Sequence, residues 1–313
     1  MGTVVISLDM ELGWGFHDRS LPEERLRNAR ENCSRLRRLF DSYDVPATWA
    51  ITGHLFLDSC TERHLGHPAD ERCCTRSAGA LSPHDVWFGP DLVDEIATAS
   101  VDHELASHGF THVHFQHECV DAEFASRELA HCADAGARRG FDLTSFVFPV
   151  NRVRYRDRLA EHGFGCYRGV NPARLSKRPW EFQARKLSSA ALGKPTPPIV
   201  EPHLDEYGLV NVPASLYLFN IGRTYGKYLS VMGEDPVVRQ AKAGIDRVAE
   251  TDGVLHLWLH PHDIRTARHH DRLASIVRYL DRKRETSDVR VETMAEIADS
   301  VRREADVGVN STE

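Results

Sequence analysis

The chain has 313 residues, 41% of them apolar, which suits one large domain or two medium ones and excludes global disorder. Its formal charge of −7 argues against nucleic acid as a general partner, and no run of 18 or more apolar residues marks a membrane-spanning helix. The seven cysteines are odd in number and form no C-x-x-C pair, so reduced thiols are expected rather than a disulfide framework.

Residues 4–8 (Val-Val-Ile-Ser-Leu) read as a buried strand. No basic segment precedes them, so the start is not a secretory or transit signal and the expectation is a cytoplasmic protein. A helix is predicted over 22–43, with Pro22 near its start and apolar positions at helical spacing. Strand 47–52 follows. Then come helix 91–100, strand 104–107, helix 121–139 and strand 145–148. Helix 156–162, closed by Gly163, leads into strand 165–167. Strands 209–212, 254–259 and 289–291 alternate with helices 236–250, 270–285 and 294–302.

About seven β/α units result, which points to a parallel sheet, open or closed into a barrel. Residues 59–90, with their His, Cys, Arg and Pro, and the Pro-rich 170–208 read as two long loop insertions over one end of the sheet. The expected organisation is one barrel domain over 1–303 and a frayed polar tail over 304–313.

Three strand ends carry chemistry. Asp9 and Glu11 follow the first strand and share its parity, so both can face one mouth. On their own they are equally a solvated strand end or a helix cap. His108 and His112 stand four apart, the spacing at which two imidazoles on one helical face chelate a divalent ion. Gly109 and the short strand before it place this pair at a strand-to-helix turn. His114 and His117 read as surface residues and His103 as a structural hydrogen-bonder. His260 ends a strongly apolar strand and can act as a general acid or base. His262 and Asp263 either orient it or start the next loop. Cys73 and Cys74, with His64 or His67 nearby, are an alternative metal cluster.

The joint order of strand–Asp-x-Glu, Glu104-x-x-x-His108-x-x-x-His112 and strand–His260-Pro261 resembles the polysaccharide deacetylase superfamily, the NodB-homology or family 4 carbohydrate esterase group. The resemblance spans about residues 3–300 and extends to Pro46–Ala50, Phe146–Pro149 and His256–Pro261. It implies a distorted (β/α) barrel of the seven-stranded type. It implies a divalent metal, zinc with cobalt or nickel as substitutes, on Glu11, His108 and His112, with Asp9 able to share or exchange the ligand role with Glu11. Asp9 is then the catalytic base and His260 the catalytic acid. The implied reaction is hydrolysis of an N-acyl group, acetyl above all, on an acetamido sugar. For a cytoplasmic enzyme the substrate is a small-molecule or lipid-linked sugar. Hydrolysis of another C–N bond, in a cyclic amide or ureide, is the alternative within the same fold, and a non-catalytic sugar-binding protein the alternative outside catalysis. Two departures stand out. Val147 occupies the position where the family carries an arginine that orients the base; either Arg152 or Arg154 just downstream substitutes for it or the base is activated differently. The family's Asp and Trp of the acyl pocket have no match near Asn211-Val212-Pro213.

Overall fold

The computed structural model describes residues 1–16, 22–60, 84–172, 196–219 and 234–310. Its first strand, β1 (Gly2–Met10), is buried along its whole length, as the uninterrupted apolar run demands of a strand covered on both faces. The strands that follow are β2 (Thr48–Ile51), β3 (Glu104–Ser107), β4 (Ser145–Phe146), β5 (Cys166–Gly169), β6 (His203–Leu204), β7 (Val210–Pro213), β8 (Leu216–Tyr217), β9 (Gly253–Leu259) and β10 (Arg290–Val291). They form a sheet of order β6-β7-β5-β4-β3-β2-β1-β9-β8, with β10 beside the start of β1. Every pairing is parallel except that of β6 with β7.

Among the described residues seven helices accompany the sheet: α1 (Glu23–Asp41), α2 (Pro90–Ala97), α3 (Ala122–Ala137), α4 (Arg156–Glu161), α5 (Pro236–Ala249), α6 (Ala267–Thr286) and α7 (Met294–Asn310). Local chemistry sets their ends. Asp121 caps α3 through Phe124 N–H at 2.8 Å, and Asp235 caps α5 through Val237 N–H at 2.9 Å. Gly163 takes the left-handed conformation just after α4, at φ +83°.

The sheet is curled. β7 pairs with β5 and β8 with β9, near opposite margins, yet only Ala214 and Ser215 separate β7 from β8. Ala214 N–H donates to Gly169 O at 3.0 Å and Ser215 N–H to His256 O at 2.9 Å, so the margins approach each other there. The architecture is a distorted (β/α) barrel type built on an open sheet.

Side-chain parity separates two cores. Val4, Ile6, Leu8 and Met10 of β1 face the helices with Leu255, Leu257 and Leu259 of β9. Val5 lies on the inner face with Ala50, Ala106, Cys166, Val210 and Val254, and Met294 and Ile297 of α7 pack against them. Those inner residues are small, as a tightly curled sheet requires.

Several sequence expectations change. The strand read over 145–148 ends at Phe146, because Pro149 has no N–H for a ladder and the chain turns there. The two-residue strands β6 and β8 are too short for periodicity to reveal, and β6 lies inside the stretch read as a loop over 170–208. The 304–313 tail is not frayed throughout, since α7 continues to Asn310. Of the two insertions, residues 61–83 and 173–195 lie outside the described residues, and His64, His67, Cys73 and Cys74 go with them. Cys33, Cys119, Cys132 and Cys166 form no disulfide. No helix of the described residues is long and apolar enough to cross a membrane.

Candidate metal and catalytic site

The carboxyl ends of parallel strands collect functional side chains, because strand parity and the following loop aim them into one mouth. Asp9 belongs to the inner face of β1 with Val5 and Ser7, and Glu11 follows one residue past the strand. Both are buried. A short 3-10 turn, Leu12–Phe16, folds back over Glu11. Gly15 makes this closure possible: a Cβ there would lie 1.8 Å from Glu11 Oε2.

His108 follows β3, but the His pair is not helical. Residues 108–118 form an irregular loop in which Gly109 (φ +77°) and His112 (φ +59°) are left-handed. The helical reading of the His-x-x-x-His spacing fails because a buried carboxylate organises this loop instead. Glu128 of α3 accepts Phe110 N–H and Thr111 N–H at 3.1 Å and the Thr111 hydroxyl at 2.8 Å. His103 accepts Ala47 N–H at 3.2 Å, a structural place. His114 is half-buried and His117 exposed.

Glu11 Oε1 lies 3.3 Å from each of three imidazole nitrogens: Nε2 of His108, of His112 and of His260. His108 donates its Nδ1 proton to Val147 O at 2.8 Å, so its Nε2 turns a lone pair toward Glu11. Lone pairs converging on a carboxylate oxygen repel unless a cation or protons sit between them. A tetrahedral ion with bonds near 2.0–2.1 Å places its donors about 3.4 Å apart, close to the separations found here. One carboxylate and two imidazoles also suit zinc-like ions by donor type. The residues therefore fit a divalent cation, and two sets can chelate one: Glu11 with His108 and His112, and Glu11 with His260 and His262.

Asp9 does not stand alone. Arg168, fully buried on β5, donates to both of its oxygens at 2.6 Å. β5 is four strands from β1, about 19 Å in a flat sheet, so the curl alone makes this pair possible. Burial by itself would raise the Asp9 carboxyl, but Arg168, with His108 and His260, outweighs it and holds the group below its ordinary range. The guanidinium is itself held on every side. Asn151 Oδ1 accepts from Nε and Nη2 at 3.1 and 2.9 Å, Ser7 Oγ accepts from Nη1 at 3.1 Å, and the Trp258 ring lies 4.4 Å away. Val150 and Asn151 are both left-handed, which swings the Asn151 amide under Arg168. The arginine paired with Asp9 thus comes from β5, not from Arg152 or Arg154. Arg152 and Arg154 are exposed, and Val147 contributes only its carbonyl.

His256 extends this network. Its Nδ1–H points to Val212 O at 3.3 Å and its Nε2 accepts the Ser7 hydroxyl at 2.8 Å. Burial first, then Arg168, pull its pKa from 6.5 down to about 3. The unfolded chain therefore takes up a proton below pH 6.5 that the folded chain refuses until about pH 3. Stability is complete above pH 6.5 and lost as pH falls through that window. From pH 6.5 to about pH 4.5 the loss amounts to about 2–3 kcal/mol. Denaturant unfolding at pH 7.5 and 4.5 is expected to show a smaller acid loss in His256→Gln than in wild type; equal losses would refute this assignment.

His260 is oriented from behind. Its Nδ1 lies 3.3 Å from Asp263 Oδ2 and 3.1 Å from Tyr217 Oη, and Tyr217 also donates to Asp263. Arg25 secures Asp263 at 2.8 Å. Burial acts to lower the His260 pKa, yet Glu11, Asp263 and Asp9 override it and push it up to about 10. Its Nε2 is 3.6 Å from Asp9 Oδ2. The five residues singled out from sequence, Asp9, Glu11, His108, His112 and His260, thus lie around one point. Sequence reading missed Arg168, Asn151, Ser7, His256, Tyr217 and Glu128. The one signal for Arg168 is a charged residue sharing the inner-face parity of Cys166 within a short apolar strand.

No protein-family profile matches the chain, and no curated protein matches it. Solved structures do. A protein assigned as a polysaccharide deacetylase from Mycobacterium smegmatis superposes with a TM-score of 0.63 at 17% identity, covering 97% of this chain and 91% of that one. A probable polysaccharide deacetylase from Pseudomonas aeruginosa PAO1 gives 0.58 at 15% identity, covering 96% and 91%. The chain has the fold of polysaccharide deacetylases. The same fold serves other chemistry: Puue allantoinase gives a TM-score of 0.54 at 15% identity, covering 95% and 88%. Likeness at these identities shows the fold, so function has to be argued from the site.

Proposed function

We propose that this protein is a metal-dependent amide hydrolase that removes an N-acyl group, acetyl above all, from an acetamido sugar or sugar-containing precursor. One observation carries the reading: an Arg-paired carboxylate, a Glu–His–His donor set and a carboxylate-backed histidine converge on one point at the carboxyl ends of β1, β3 and β9.

Glu11, His108 and His112 would hold the ion, which when bound supplies Lewis-acid polarisation of the substrate carbonyl and a water of lowered pKa. Asp9 stays ionised beside Arg168 and accepts the proton of the attacking water. The two-point grip of Arg168 fixes the direction of that carboxylate, which a single contact would leave free to rotate. His260 carries the proton that the departing amine needs, since an amide nitrogen leaves poorly as an anion. Asp263 and Tyr217 hold the ring so that Nε2 faces the reacting centre. Glu11 is the leading influence that raises the His260 pKa, and with its charge shared by a bound cation that influence would weaken. The Tyr217 ring stacks on Trp258 at 4.3 Å, an apolar wall next to His260 against which an acyl methyl or sugar face can rest.

A second reading keeps the site and changes the substrate to a cyclic amide or ureide. The likeness to an allantoinase, comparable in coverage to that with the deacetylases, favours keeping it. Zinc-loaded protein incubated with N-acetylated monosaccharides and sugar nucleotides is expected to release acetate, and a chelator to stop the release. No acetate from any of them, with ring opening of a cyclic ureide instead, would transfer the assignment to the second reading.

A further inference from the structure

Beside the first donor set lies another that shares its carboxylate. Glu11, His260 and His262 each offer a ligand atom within 4.8 Å of the others. Glu11 Oε1 faces His108 and His112 at 3.3 Å, while Oε2 faces His262 Nδ1 at 3.8 Å. The two oxygens of one side chain thus look toward different imidazoles, and His260 Nε2 stands 3.3 Å from Oε1 between them.

The His260 and His262 rings stack with centroids 4.7 Å apart and planes at 20°, so their donor atoms lie side by side. A single carboxylate stands behind both. Asp263 Oδ2 is 3.3 Å from His260 Nδ1 and 4.0 Å from His262 Nε2. Each ring therefore turns one nitrogen toward Asp263 and the other toward Glu11. A proton drawn to the Asp263 side leaves a lone pair on the Glu11 side, which is how carboxylates orient metal-bound histidines. Arg25 locks the turn, donating to Asp263 Oδ1 and to His262 O, each at 2.8 Å. The Phe16 ring closes the other flank, its centroid 4.9 Å from that of His262.

We propose that Glu11, His260 and His262 form a second divalent-cation subsite, bridged to the first by the Glu11 carboxylate, and that filling it stops hydrolysis. The inhibitory part rests on His260 being the proton donor. A cation binding there displaces the Nε2 proton to solvent and occupies the lone pair that would take it back. The departing amine then has no proton source. Bridged ions about 3.5–4 Å apart are common in hydrolytic sites. Repulsion from the first ion and the sharing of one carboxylate make the second ion the weaker of the two.

The test is calorimetric titration of metal-stripped protein with zinc, without substrate. Wild type is expected to take up about two ions per chain, the second more weakly, and His262→Gln about one. In turnover, wild type is expected to lose about tenfold or more between one equivalent and excess zinc. His262→Gln, normalised to its own rate at one equivalent, is expected to lose less than about twofold. Saturation of wild type at one ion, or a second ion of unchanged affinity in His262→Gln, would overturn the subsite. Absence of turnover on every N-acylated sugar would remove the deacylase reading and leave the stoichiometry to decide the subsite on its own.

Discussion

Protein carrying both His108→Ala and His112→Ala is expected to lose its tightly bound ion. Wild type dialysed against metal-free buffer should retain about one divalent ion per chain by elemental analysis, and the double variant almost none, because only the weaker Glu11, His260 and His262 set remains and dialysis empties it. Turnover should fall by at least about a hundredfold, the scale that loss of mere outer-shell partners already reaches. Stability should respond too. An ion that binds only the folded chain adds about 4 kcal/mol when its free concentration is a thousandfold above Kd. Added zinc should therefore raise the melting temperature of wild type much more than that of the double variant. The loop that carries His112 is anchored through its backbone by Glu128, which both substitutions leave in place. Full ion retention in the double variant would move the tight site to Glu11, His260 and His262.

The Arg168→Met variant is expected to be the most damaging single change in the network behind Asp9. It leaves a buried carboxylate without its cation, and breaking one side of such a pair costs about 3–5 kcal/mol. The direction follows from the opposing influences at Asp9. Once Arg168 is gone, burial dominates and the carboxyl moves up from its lowered position. Turnover should fall by about 10²–10⁴, the usual contribution of a positioned base, and the acidic limb of the rate profile should move to higher pH. Arg168→Lys should rescue only part of this, since an ammonium cannot grip both oxygens while also reaching Asn151 and Ser7. Combining Arg168→Met with Asp9→Asn should recover stability but not activity, because the stranded charge disappears while the base stays absent. An Arg168→Met protein within about 0.5 kcal/mol of wild type would show that the pair is not the buried linchpin its geometry implies.

Sequence alone determined the local half of this protein. Chain adjacency ties Asp9 and Glu11 to the end of an apolar strand, His108 to the end of another and His260 to the end of a third. Apolar runs and parity are one-dimensional signals, so these residues and the alternation of strands and helices are legible without coordinates. The tertiary structure decided what depends on curvature and on single contacts. Arg168 reaches Asp9 because the sheet bends β5 toward β1, and no spacing along the chain encodes that bend. The His108–His112 loop is not a helix because Glu128, on a later helix, satisfies its backbone donors. His262 turns from a residue of the next loop into a partner of Glu11 because Asp263 and Arg25 set the angle of that turn. Covalent neighbours fix which residues share a strand end, whereas packing and buried charge fix which strand ends share a site.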